Sequence, residues 1–298
     1  MTVSGRSVAA LVGLLVASAG SCGAASNRVS RSTATAPTTT TRTSVAPSAA
    51  AGRTYETRRS GFTVARPNDP ALPTMAVLAI APVGKGPFPL IVFSHGFQSI
   101  AQSYEPALTR IASWGYVVVG PNFPDADYHT HPADISLVID RVTGRHSPFA
   151  KGFVDGQHIA SVGHSLGGAD VYGVTYNSCC RDRRITAAVT FEGTLGQFPT
   201  GTFSWRGAPA LIVVGDSDPV LVPGTGEHVF SGFTGSAYLL TIAGGGHGGG
   251  LGPTDVGYTS VQATLRDFLA AYLDGDNGAL HSLRSHRSRP HTTLKVKR

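Results

Sequence analysis

A serine, an aspartate and a histidine, far apart in the chain, are the residues whose types and settings could do chemistry together. Ser165 lies in Gly163-His164-Ser165-Leu166-Gly167, where a short apolar run at 159–162 stops and Ala169-Asp170-Val171-Tyr172 reads on as a helix. The spacing is G-x-S-x-G, set between a strand and a helix. Such a turn crowds its central residue, so the neighbours must be small. The serine oxygen then stands at a helix N-terminus, where free N–H groups and the positive dipole end favour a developing oxyanion.

A serine hydroxyl is a weak nucleophile at neutral pH and needs a base, which in turn needs an orienting acid. His247 sits in Gly244-Gly245-Gly246-His247-Gly248-Gly249-Gly250, after the apolar run 238–242 and before the last long helix. Asp218 lies in Gly215-Asp216-Ser217-Asp218-Pro219, at the end of the run 211–214. Asp216 competes with it, but stands nearer the strand end and could instead cap or brace the turn. Asp218 is preferred because it leads into Pro219-Val220. The order serine, aspartate, histidine is that of an α/β-hydrolase triad. The flanking glycines leave His247 free to approach Ser165 and also let its loop move.

A tetrahedral intermediate needs two main-chain N–H donors. Leu166, just after the nucleophile, supplies one candidate and Phe97, in His95-Gly96-Phe97, the other. His95 could be a second base or a brace beneath that loop; with the base position filled by His247, the brace is preferred. Substrate-side candidates are His164, Gln98, Phe191 and Glu192, with Phe97, Phe191 and Phe198 as an apolar wall. Glu192 reads equally as a substrate carboxylate or a loop brace. The run Asp125-Ala126-Asp127-Tyr128-His129-Thr130-His131 has ligand types for a metal, yet lacks a supporting cluster and reads better as a polar loop. No metal or cofactor is expected.

The elements that must position these groups alternate. Runs at 75–80, 89–94, 116–119, 159–162, 185–191, 210–214 and 238–242 read as strands, most of them apolar enough to be buried on both faces. Helical spacing falls at 104–114, 132–142, after Ser165, and within 254–273. That alternation predicts an α/β fold, a mostly parallel sheet with helices on both faces and function at the carboxyl ends of the strands. The connections after Ser165 carry no long helical insertion, so no large lid is expected.

The 298 residues, 41% hydrophobic, suffice for one large core with appendages. The net charge of +6 belongs to the ends: residues 1–59 carry seven Lys or Arg against one Glu, and residues 281–298 six against none. Residues 60–280 hold 11 basic and 17 acidic side chains, which argues against a nucleic-acid partner. Residues 1–26 have the layout of an export signal, with Arg6, an apolar stretch and small residues. Ala19-Gly20-Ser21-Cys22 is close to a lipobox, so a lipid tether through Cys22 and plain secretion both stay open. Residues 27–53 read as a disordered Ser/Thr/Ala/Pro tether, 54–276 as the domain, and 277–298 as a basic disordered tail. Cys179 and Cys180, being adjacent, could close only a strained ring, so two thiols are expected.

The segments 89–97, 112–119 and 163–168 resemble the α/β-hydrolase branch of actinobacterial cutinase- and polyester-hydrolase-like, chlorophyllase-like and dienelactone-hydrolase-like esterases. The similarity runs over about residues 55–275. It implies Ser165, Asp218 and His247 as the triad and Phe97 and Leu166 as oxyanion-hole positions. The cysteine nucleophile of dienelactone hydrolases is absent, as is the tryptophan that polyester hydrolases place just after the strand 190–194. The expectation is an exported, monomeric serine esterase cutting a small-molecule or lipid ester through an acyl-enzyme. The alternatives are acyl transfer to a cell-envelope acceptor and a non-catalytic binding module on the same scaffold.

Overall fold

The computed structural model describes residues 54–124, 127–285 and 289–298. The expected export signal, Cys22 and the tether lie outside the described residues, as does Asp125. Nine strands form one sheet in the order β1-β2-β4-β3-β5-β6-β7-β8-β9. They are β1 (Thr57–Ala65), β2 (Thr74–Pro82), β3 (Phe88–Ser94), β4 (Val117–Pro121), β5 (Val154–His164), β6 (Ile185–Phe191), β7 (Ala210–Gly215), β8 (Ala237–Ile242) and β9 (Thr292–Lys297). Strands β4, β3, β5, β6, β7 and β8 are mutually parallel, while β1, β2 and β9 join antiparallel at the two edges.

The helices are α1 (Glu105–Ser113), α2 (His131–Thr143), α3 (Leu166–Tyr176), α4 (Thr225–Gly232), α5 (Tyr258–Leu273) and α6 (Asn277–Arg284). Alternation along each strand feeds two cores. Ile91 and Phe93 of β3 join Leu108 and Ile111 of α1 and Val261, Leu265 and Phe268 of α5 on one face. Leu90 and Val92 join Ile135, Val138 and Ile139 of α2 on the other. Chain order reverses at β3: its successor pairs on one side and β5 on the other, and crevices open at the carboxyl ends of strands around such a switch point. Among the described residues no helix is long and apolar enough to cross a membrane.

Two expectations are corrected here. Residues 277–285 and 289–298 are not a disordered tail: Asp276 caps α6 by accepting from the Ala279 N–H, and β9 pairs with β8 from Ala237–Lys297 to Ile242–Thr292. The basic composition hid an alternation in which Leu294 and Val296 pack on the core while Thr293, Lys295 and Lys297 project from the other side. The domain therefore runs to the end of the chain. Cys179 and Cys180 are joined as a disulfide rather than left as thiols. They follow α3, where the Cys179 N–H donates to Asn177 Oδ1 and Ser178 exchanges hydrogen bonds with Thr202.

Candidate active site

Ser165 joins β5 directly to α3 with φ 55° and ψ −118°. A side chain is rarely held in that conformation unless its surroundings leave no alternative. The surroundings here are main chain. A Cβ on Gly163 would meet the Gly167 carbonyl oxygen at 2.2 Å, and one on Gly167 would meet the Ser94 carbonyl oxygen at the same distance. The glycines let β5, α3 and the end of β3 touch, and Ser165 takes the strain of the resulting turn. Its N–H donates to the Phe191 carbonyl, and its own carbonyl accepts from Gly168 and Thr194.

Three distant segments meet over this turn. His247 Nε2 is 2.9 Å from Ser165 Oγ, and His247 Nδ1 is 2.8 Å from Asp218 Oδ2. A neutral imidazole that donates from Nδ1 to the carboxylate presents the Nε2 lone pair to the hydroxyl, the tautomer a general base requires. Asp218 is buried and its other oxygen accepts from the N–H groups of Val220 and Leu221. Burial works against its charge, but the His247 and backbone hydrogen bonds prevail and hold the carboxyl below its ordinary value. Asp216 does not compete: it accepts from the Gly244 N–H and the Ser217 hydroxyl and braces the turn.

Leu166 opens α3, so its N–H has no acceptor within the helix. Phe97 follows Gly96, where an added methyl would stand 3.4 Å from Ser165 Cβ, so the loop after β3 lies against the nucleophile. Gln98 is exposed in the same loop with φ 52°. His95 lies beneath it, its Nδ1 on the Gly96 carbonyl and its Nε2 accepting from the Phe123 N–H. With both nitrogens so used it cannot reach the serine. Burial lowers its pKa and keeps it neutral.

Several substrate-side expectations change. Phe191 and Glu192 have no exposed surface, and Phe191 belongs to the core rather than to a wall. Phe198 packs edge-on against Tyr128 and Phe203 in the aromatic cover over α3. His164 points back into the protein, bonded to Tyr104 and to the His247 carbonyl. Glu192 accepts from the Gly215 N–H at 2.6 Å through Oε1, and its carboxyl lies against the Asp218 carboxylate. Burial first, then the hydrogen bond with Asp218 and the Asp218 charge, push its pKa up to about 9. It is a neutral acid at pH 7 behind the orienting aspartate. Only the adjacency of β6 and β7 reveals that pairing.

His131, which opens α2, bonds Asp170 of α3 inside the protein, and in the loop before it His129 links Asp127 to the Gln197 carbonyl. His129 and Tyr128 clasp the β6–β7 connection at Gln197, and among the described residues no group of three or more metal-binding side chains converges.

Two clefts lie beside the triad, one against Asp218 and one against His164, and Ser165 lines neither. One of about 210 Å³ is lined by Glu192, Asp218, Leu221 and Val222, and one of about 230 Å³ by Tyr104, His164, Leu251 and Pro253. The arrangement has the parts for acyl transfer: a nucleophile, a base in reach, a charged orienting group and helix-start amides.

A family model described as Chlorophyllase matches residues 52–199, a span that includes Phe97 and Ser165 and ends before Asp218 and His247. The chain is 28% identical to Chlorophyllase-1 of Arabidopsis thaliana over 53% of its own length and 52% of that protein. It is 36% identical to the chloroplastic Chlorophyllase-1 of Citrus sinensis over 22% of its length and 20% of that protein. It thus spans about half or less of the curated relatives it matches. With the sheet order and the serine turn described above, the chain has the α/β-hydrolase fold and is similar to chlorophyllases over residues 52–199.

Proposed function

We propose that the protein is an exported carboxylic ester hydrolase that works through an acyl-enzyme on Ser165. The observation that carries this reading is the hydrogen-bonded line from Asp218 through His247 to Ser165 Oγ at the carboxyl edge of the sheet. Ser165 attacks the ester carbonyl as His247 takes its proton. The oxyanion is received by the N–H groups of Leu166 and Phe97, the alkoxide leaves with the proton from His247, and water repeats the sequence to free the acid. Asp218 stays ionised and fixes the imidazole. Export rests on the composition of residues 1–26, and a lipid tether through Cys22 would place the domain at a membrane surface.

The rim favours apolar esters. Of six large apolar side chains exposed among the described residues, five lie on loops after β3, β7 and β8: Phe97, Ile100, Val220, Val222 and Val256. The segments 95–104, 215–224 and 243–257 hold no Lys or Arg. Neutral substrates with an alkyl portion suit this surface better than anionic ones.

The test is a hydrolysis series on p-nitrophenyl esters of rising acyl length, with Ser165→Ala and His247→Ala alongside and an alcohol acceptor in one arm. Turnover that vanishes in both variants supports the reading, and ester product with the alcohol would point to acyl transfer. No turnover on any ester, or turnover that survives Ser165→Ala, overturns it.

A further inference from the structure

His247 is carried by a loop with glycine at six of seven positions, three of which, Gly244, Gly249 and Gly250, have positive φ. Such a segment has little side-chain packing to fix it, and ordering glycine costs more entropy than ordering other residues. Of the ring's own bonds only the one from Nδ1 to Asp218 persists through turnover, because Nε2 must change partners. A second constraint that survives the cycle has to act on the loop elsewhere.

It does so at the main chain. His164 Nε2 is 2.6 Å from the His247 carbonyl oxygen, His164 Nδ1 is 2.8 Å from the Tyr104 hydroxyl, and that hydroxyl is 3.1 Å from the Gly96 nitrogen. A carbonyl oxygen only accepts, so Nε2 carries the proton and Nδ1 of the neutral ring is an acceptor. Tyr104 therefore donates to Nδ1, which leaves its oxygen to accept from the Gly96 N–H. Each donor has one acceptor, and the opposite tautomer would set two lone pairs against each other at 2.6 Å. The ring is packed between Tyr104, 5.5 Å away centre to centre, and His247 at 4.9 Å.

We propose that Tyr104 and His164 are positioning residues, a directional hydrogen-bonded strut that ties the loop bearing His247 to the loop bearing Gly96 and Phe97. The strut joins the base and the oxyanion donors without touching the reacting atoms. It explains why the position before the nucleophile holds a histidine whose two ring nitrogens are both taken up inside the protein, and why a Tyr hydroxyl 60 residues earlier is aimed at it. The strut requires a neutral His164. Burial lowers its pKa, as does the neighbouring His247, while the bond to the His247 carbonyl and the charges of Asp218 and Asp255 oppose that. The titratable groups that act on His164 are therefore Tyr104, His247, Asp218 and Asp255.

The catalytic consequence rests on the ester-hydrolase reading; the hydrogen-bond pattern does not. The experiment has two arms. Nitrogen-15 NMR of the histidine rings in the full chain should find His164 protonated at Nε2 and bare at Nδ1 at pH 7 to 8, titrating below the ordinary histidine value, with the Nδ1 resonance moving in Tyr104→Phe. In kinetics, His164→Phe should lower kcat by about 10- to 100-fold with KM within about twofold, the scale of a catalytic group displaced by a fraction of an ångström. Tyr104→Phe should cost several-fold, and His164→Gln, which keeps a donor toward the His247 carbonyl, should recover part of the loss. An Nδ1-protonated His164, titration at the ordinary histidine value, or unchanged kcat in both His164→Phe and Tyr104→Phe overturns the strut. If wild type cleaves no ester while NMR shows the predicted tautomer, the strut stands and the hydrolase reading falls.

Discussion

Replacing Glu192 by Gln should make the protein more stable at neutral and alkaline pH while leaving it unchanged near pH 4. The folded pKa of Glu192 is about 9, raised from 4.5. For a group whose folded pKa is raised, the contribution to stability is fully present below the unfolded pKa and is lost as pH rises through the folded one. Holding the proton at pH 7 therefore costs about 2.5 pH units at 1.36 kcal/mol each, roughly 3 kcal/mol. A glutamine keeps the same shape, can accept from the Gly215 N–H and offers a permanent donor to Asp218 without the titration. For a domain of this size, 3 kcal/mol corresponds to about 6–12 °C in Tm. Urea unfolding at pH 4, 7 and 9 reads it directly: the gain from Glu192→Gln should grow with pH and level off above about 9. A gain or loss that is the same at all three values, or a destabilised variant at pH 8, would refute the assignment of a neutral acid behind Asp218.

Other perturbations follow from the same structure. Asp218→Asn should reduce kcat by about 10⁴ with little change in KM, because the tautomer of His247 would be wrong for a base; a loss below tenfold would move the orienting role elsewhere. Gly167→Ala places a methyl 2.2 Å from the Ser94 carbonyl oxygen, with no flexible side chain to yield, and should cost at least about 2 kcal/mol in urea unfolding. Deleting residues 286–298 removes β9, leaves the outer edge of β8 unpaired and drops the Ala243 N–H bond to the His291 carbonyl. A clear fall in Tm is expected, and an unchanged melt would detach that segment from the domain.

The parts of this molecule legible in its sequence are those fixed by local physics. The apolar runs of β3, β4, β6, β7 and β8 are buried on both faces, so they read as strands without tertiary knowledge. Glycine on either side of Ser165 marks the turn because the chain contacts there leave no room for a side chain. Elements that lean on others were harder to see. The edge strand β1 is exposed along most of its length and reads as polar, and α4 is short with few buried side chains. The alternation of β9 disappears among lysines and threonines. Position in the sequence puts His164 and Glu192 at the right end of the sheet, but His164 bonds inward instead of serving as a substrate contact, and of the two roles open for Glu192 the structure shows it bonded to the loop after β7. Their partners, Tyr104 and Asp218, come from other elements, and nothing local says which way such a side chain will turn.

The acyl-enzyme mechanism requires one hydroxyl among the many in this chain to be made nucleophilic by an imidazole 82 residues away. Reaction with a fluorophosphonate, followed by peptide mass spectrometry, reads out that nucleophile. A single adduct on Ser165, lost in Ser165→Ala and strongly slowed in His247→Ala, is the predicted result. An unreacted protein, or an adduct on another residue that persists in Ser165→Ala, would contradict it.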